Sequence, residues 1–168
     1  MKLDNKHLRI LLVEDGKVDA YVIKSTLNKY MSYHCRVRHA ENMAMAEVVL
    51  LGGDPVDLIL LDLGLPDTKG GINTFQRIVD INKTIPVIIL TSEHDHELAV
   101  SIVDNGAEDY IRKSTMVNDP EVFCDAIDFA VCRHKHLAEI ELEKKCDIKE
   151  KDMVIQWVTG SYSVYKQE

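Results

Sequence analysis

The chain has 168 residues, enough for one domain and a short appendage, and its 46% hydrophobic and 29% charged residues are ordinary for a soluble globular protein. Twenty Lys and Arg against 28 Asp and Glu leave a formal charge of −8, a long-range field that repels phosphate and argues against direct binding of nucleic acid or an anionic membrane. No apolar run reaches the ~18 residues needed to cross a bilayer, the N-terminus lacks a signal-peptide cleavage site, and Cys35, Cys124, Cys132 and Cys146 form no C-x-x-C pair, so free thiols in a reducing cytoplasm are expected.

In chain order, His7 to Val13 is a continuous apolar run that suits a strand buried on both faces. Asp19 to about Tyr30 places apolar residues near helical spacing. Tyr33 to His39 reads as a short mixed strand. Glu41 to Leu51 predicts a helix that Gly52 and Gly53 terminate. Val56 to Leu61 is a second buried strand, and Gly64 to Gly71 is all turn chemistry. A helix from about Ile72 to Ile81, a buried strand Pro86 to Leu90, a short helix Glu97 to Asn105 closed by Gly106, and a final strand Asp109 to Lys113 follow.

This β-α alternation predicts an α/β fold with a doubly wound, flavodoxin-like parallel sheet of five strands in the order 2-1-3-4-5. Five strands cannot close a (β/α)₈ barrel. Asp119-Pro120 then starts a helix with Asp at the cap and Pro at the first helical position. No Gly or Pro interrupts it from Glu121 to Lys151, and from Arg133 to Asp152 it carries six Lys/Arg and six Asp/Glu. The expected organisation is a domain over 1–133 and a helical extension over 134–168. That extension is either a solvated surface helix laced with i,i+4 pairs or a signalling helix that pairs with its copy, although its heptad positions turn polar after Leu137.

In an open parallel sheet, ligands bind beyond the carboxyl ends of the strands. Glu14 and Asp15 follow the first strand, Asp62 the third, Thr91 and Ser92 the fourth, and Lys113 the fifth. Each alone has a dull explanation, because acids and hydroxyls commonly end strands or cap helices. Together they place three carboxylates, a hydroxyl and an ammonium at one edge. Adjacent carboxylates repel one another, and a hard divalent cation with oxygen ligands relieves this. Three negative charges, one ammonium and Mg²⁺ sum to zero, a site suited to a phosphoryl group held between metal and lysine.

These residues carry a resemblance. Ile10-Leu-Leu-Val-Glu14-Asp15, Leu60-Leu-Asp62-Leu-Gly-Leu-Pro66-Asp, Val87-Ile-Ile-Leu-Thr91-Ser92 and Gly106-Ala-Glu-Asp-Tyr110-Ile-Arg-Lys113 occur in the order of the receiver domain of two-component response regulators, and the likeness spans about Leu8 to Arg133. It implies that Asp62 is the phosphoacceptor, taking a phosphoryl group from a sensor histidine kinase or phosphotransfer protein. It further implies that Asp15 is a direct Mg²⁺ ligand, that Glu14 is the second acid, acting through water, and that Asp62 and the carbonyl of Gly64 complete the metal site. Lys113 would hold the phosphoryl oxygens, Thr91 would be the switch hydroxyl, and Tyr110 the aromatic whose rotamer follows it. The chain would not be an enzyme in the ordinary sense but a phosphoacceptor with Mg²⁺-dependent self-phosphorylation and self-dephosphorylation chemistry. Its partners would be that kinase or phosphotransfer protein, a downstream output domain or partner protein, and a second copy in a homodimer. The alternative is a receiver-shaped dimerisation or adaptor module that no longer depends on phosphate.

The chain departs from the family at Ser114, where a proline in a cis bond is usual. A cis non-proline bond costs about 2.5–4 kcal/mol, so either this peptide is trans with a different following loop or the site holds strain. Gly71 stands where many members have a larger residue, which would loosen the start of the third helix. A haloacid-dehalogenase-type phosphatase needs an acid two residues after its aspartate, where this chain has Gly64. A flavin mononucleotide site is disfavoured because Glu14 and Asp15 would repel its phosphate. His94/His96 and His134/His136 read as solvated residues rather than metal ligands, Cys124 and Cys132 as packed thiols, and Met43 and Met45 as filler.

Overall fold

The computed structural model describes residues 7–92 and 96–158. Five strands alternate with helices: β1 Leu8–Val13, α1 Lys17–Tyr30, β2 Cys35–Ala40, α2 Met43–Leu51, β3 Leu58–Asp62, α3 Ile72–Ile81, β4 Val87–Thr91, α4 His96–Asp104, β5 Asp109–Arg112, α5 Thr115–Asn118 and α6 Pro120–Val158. All pairings are parallel and the sheet order is β2-β1-β3-β4-β5, the flavodoxin-like order expected from the alternation. The described residues fall into two compact units, one ending at Cys132 and one beginning at Arg133.

The apolar runs became central strands because both faces are covered. Even-numbered residues of β1 and β3 (Ile10, Leu12, Leu58, Leu60) pack with Ile23 and Leu27 of α1 and Phe123 and Ile127 of α6. Odd-numbered ones (Leu11, Val13, Ile59, Leu61) pack with Met43, Phe75 and Ile102 on the opposite face. Each such Leu or Ile contributes roughly 1.5–3 kcal/mol by leaving water, so the buried strands hold both helical layers.

Helix starts show the local logic. Asn42 caps α2 by accepting from the Met45 N–H at 2.9 Å. Asp67, from the β3–α3 loop, accepts from the N–H groups of Met43 and Ala44, both at 2.9 Å. Three of the orphan donors at this helix end are thus satisfied. The same loop is held by Arg77, which donates to the Asp67 carbonyl and pairs with Glu47. Tyr33, just before β2, donates its hydroxyl to Asp128 of α6.

Several expectations are revised. Strand β5 ends at Arg112 and Lys113 lies just beyond it, because the chain turns into the unpredicted single turn α5. The Lys113–Ser114 peptide is trans, since the described residues contain no cis bond, and Lys113 still extends the ladder by donating its N–H to the Thr91 carbonyl at 2.9 Å. Gly71 has a positional reason to be glycine: it takes φ 55° at the start of α3, and a Cβ there would meet Leu98 at 3.1 Å. Cys124 is buried but Cys132 is exposed, because eight residues of helix rotate the direction by about 80° and carry it off the core-facing stripe. His94 and residues beyond 158 lie outside the described residues. Among the described residues, no helix is long and apolar enough to cross a membrane.

The unit from Arg133 onward is described by the rest of α6. Leu137, Leu142, Ile148, Met153, Val154 and Trp157 are exposed on it, and their irregular spacing makes no continuous heptad seam.

Candidate functional site

The site forms where β1, β3 and β5 end. β1 delivers Glu14 and Asp15, β3 delivers Asp62, and the residue after β5 is Lys113. One carboxylate oxygen from each of Glu14, Asp15 and Asp62 lies within 4.8 Å of the others. Lys113 Nζ sits 3.0 Å from Asp62 Oδ2 and 2.8 Å from Glu14 Oε2. Of the five groups that the strand ends were expected to gather, the three carboxylates and the ammonium are therefore in one place.

Glu14 is 1% exposed. Its Oε1 accepts from the Gly16 N–H at 3.1 Å, and a Cβ on residue 16 would stand only 2.9 Å from that oxygen. Glycine is what allows the carboxylate to fold back over the chain. Oε2 has the Lys113 ion pair but no well-aligned hydrogen bond. Burial pushes the Glu14 carboxyl up to about 6, the Lys113 ammonium pulls against it, and the charge of Asp62 adds to the rise. Burial also works against the Lys113 charge, but Glu14 and Asp62 outweigh it and hold its pKa above the ordinary lysine value.

A fourth carboxylate belongs to the cluster and was not foreseen. Asp19 Oδ2 lies 3.1 Å from Lys113 Nζ, in hydrogen-bond geometry. Helix α1 begins at Lys17, earlier than its periodicity suggested, so Asp19 occupies the first turn at the same sheet edge. The signal available was its place four residues after Asp15, within reach of the same sheet edge once the helix starts at Lys17. The count is then four carboxylates against one ammonium, a net −3 rather than the −2 expected before a cation. An under-bonded buried oxygen and surplus charge among hard oxygen donors fit a divalent ion.

Gly64, Thr91 and Tyr110, the other expected residues, have the following surroundings. Gly64 meets Asp62 through its N–H, 3.2 Å from Oδ1. Thr91 is buried, and its hydroxyl donates to the Ser92 carbonyl at 2.9 Å, not to Asp62. Tyr110 is half-buried on β5, in register with Ile89, and so shares a sheet face with Thr91 two residues further along β4. His39 at the end of β2 places Nε2 2.7 Å from the Glu14 carbonyl, a backbone tether that the strand pattern did not announce.

Comparison with known proteins agrees with this geometry. The model for the response regulator receiver domain matches residues 10–127. The transcriptional regulatory protein KdpE of Staphylococcus aureus is 32% identical over 66% of this chain, but the match spans only 46% of that protein. The two-component response regulator ORR8 of Oryza sativa subsp. indica is 30% identical over 66% of this chain and 89% of its own length. Among solved structures, the N-terminal domain of a response regulator/sensory box/GGDEF 3-domain protein from Carboxydothermus hydrogenoformans is 29% identical, with a TM-score of 0.63 over 77% of this chain and 98% of that one.

Proposed function

The chain belongs to the response regulator receiver domain family of two-component systems, and on that premise we propose that it accepts a phosphoryl group on Asp62 and converts it into a change of its protein-interaction face. The observation that carries this is the Asp62 carboxylate set 3.0 Å from the Lys113 ammonium with Glu14 and Asp15 alongside. The donor would be a phosphohistidine of a sensor kinase or phosphotransfer protein. An Asp62 oxygen forms the new O–P bond as the P–N bond to the imidazole breaks. The electron pair stays on that nitrogen, which takes a proton from solvent.

Asp15, Asp62, the Gly64 carbonyl and, through water, Glu14 would hold Mg²⁺. Bound there, the ion supplies electrostatic relief for the charge on the transferred group. Lys113 holds the phosphoryl oxygens from the other side. Modification turns about −1 of charge on Asp62 into about −2. The Thr91 hydroxyl then leaves the Ser92 carbonyl for the new oxygens, and Tyr110, on the same sheet face, moves into the space released. This is a local charge and packing change biasing a two-state surface. The chain is a phosphoacceptor consumed and regenerated by its own site, not a turnover enzyme.

The chain spans just under half of KdpE, a transcriptional regulatory protein. Output through a further domain, a partner protein or a homodimer built on α6 is therefore part of the proposal; its own net charge of −8 argues against direct nucleic-acid contact. The test is incubation with acetyl phosphate and with beryllofluoride, each with Mg²⁺ and with chelator, followed by intact-mass and NMR analysis. We expect Mg²⁺-dependent modification that Asp62→Asn abolishes. Absence of any Mg²⁺-dependent modification at Asp62 would falsify the proposal and favour a phosphate-independent adaptor.

A further inference from the structure

An ammonium has three hydrogens to donate, and Lys113 faces three carboxylates: Glu14 at 2.8 Å, Asp62 at 3.0 Å and Asp19 at 3.1 Å. A phosphoryl group on Asp62 adds acceptor oxygens at an ammonium that already donates to Asp62 and Asp19 and pairs with Glu14, so the new oxygens compete with the partners in place. Besides the Asp62 oxygen itself, the groups that compete with them for the ammonium are Glu14 and Asp19. Glu14 is 1% exposed and its Oε2 has no other bond; stripping the lysine from it would leave a buried charge uncompensated, the costliest choice. The Asp19 side chain is 45% exposed, so water can take the place of the lysine at little cost. Asp19 also stands in the first turn of α1, where the helix end favours its negative charge with or without a cation.

Resting on the function proposed above, we infer that Asp19 is a resting-state counter-ion of Lys113, a positioning residue that holds the ammonium in competition with the phosphoryl group and releases it when that group arrives. Two consequences have opposite signs. The Asp19 charge helps the cluster attract a divalent cation. The same charge weakens the hold of the site on a phosphoryl group, by competing for Lys113 and by repelling the anion. A residue that only supported the fold would move both affinities the same way.

The experiment measures two dissociation constants by calorimetry on the full chain, for Mg²⁺ alone and for beryllofluoride at saturating Mg²⁺. The wild type is compared with Asp19→Asn, which keeps the shape, and with Asp19→Ser, which keeps neither shape nor charge. For both variants we expect Mg²⁺ to bind about twofold to fivefold more weakly and beryllofluoride about twofold to fivefold more tightly, the scale of a half-exposed ion pair. Beryllofluoride affinity that is unchanged or weaker in the variants, with the wild type binding normally, overturns this inference and leaves the function standing. A wild type that binds no beryllofluoride overturns both.

Discussion

Replacing Glu14 by glutamine separates the cost of the site from its use. The carboxylate is buried beside Asp62, and its pKa is raised from 4.5 to about 6. A raised acid binds protons more tightly in the folded state, so its ionisation stabilises unfolding: the penalty is absent below about pH 4.5, grows through pH 6 and is then constant. A shift of this size corresponds to ~2 kcal/mol above pH 6. The amide of glutamine would face the Lys113 ammonium, so we expect a net gain of about 1–2 kcal/mol for Glu14→Gln in chelator near neutral pH, or roughly 3–6 °C in melting temperature. With Mg²⁺ in excess the order should close or invert, because the wild type gains binding energy that the variant lacks. The assay is thermal unfolding of both proteins across pH 4–8, with chelator and with Mg²⁺. A variant less stable than wild type in chelator near neutral pH, or a difference that does not vary between pH 4.5 and 7, would refute the reasoning.

Other perturbations probe the scaffold. Gly16→Ala, which pushes a methyl to 2.9 Å from Glu14 Oε1, should leave the fold intact, since φ is −72°, and lower Mg²⁺ affinity about tenfold by calorimetry. Asp67→Ala removes two bonds to the start of α2 and should cost about 1–2 kcal/mol in urea unfolding. Although burial opposes it, bonding to the Met43 and Ala44 amides holds the Asp67 carboxyl below its ordinary value. This contribution is present at neutral pH and should fade as pH falls through the depressed pKa, so the wild-type and Asp67→Ala unfolding curves should converge in acid. Tyr33→Phe strips the half-buried Asp128 of a hydroxyl donor and should cost ~1–3 kcal/mol; in a double-mutant cycle most of that cost should disappear in an Asp128→Ala background.

The sheet was legible because Leu58 to Leu61 and Val87 to Leu90 are apolar without interruption, and such short runs in a β-α alternation have few other uses. Glu14, Asp15, Asp62 and Lys113 were legible for the same reason: once the strands are placed, parallel order brings their ends together whatever lies between. Asp19 escaped because it sits inside a helix, where its acid reads as a first-turn preference and not as a site group. Asp67 looked like turn chemistry alone, yet it caps a helix 23 and 24 residues earlier in the chain. The Tyr33–Asp128 pair is 95 residues apart, and no periodicity links an edge-strand approach to the helix that crosses it. Cys132 was misjudged by position on a helix whose core-facing stripe had already turned away.

The backbone at Gly16 joins the chemistry to the scaffold. Its N–H is held by the Glu14 carboxylate, and its carbonyl accepts the Ala20 N–H at 2.9 Å, the bond that opens α1. Any ligand that draws the carboxylate away unlocks one end of a peptide whose neighbour anchors the helix start. Deuterium uptake along residues 16–20 should therefore respond to what occupies the sheet edge, giving a tag-free gauge of occupancy in a stretch that bears no aromatic label.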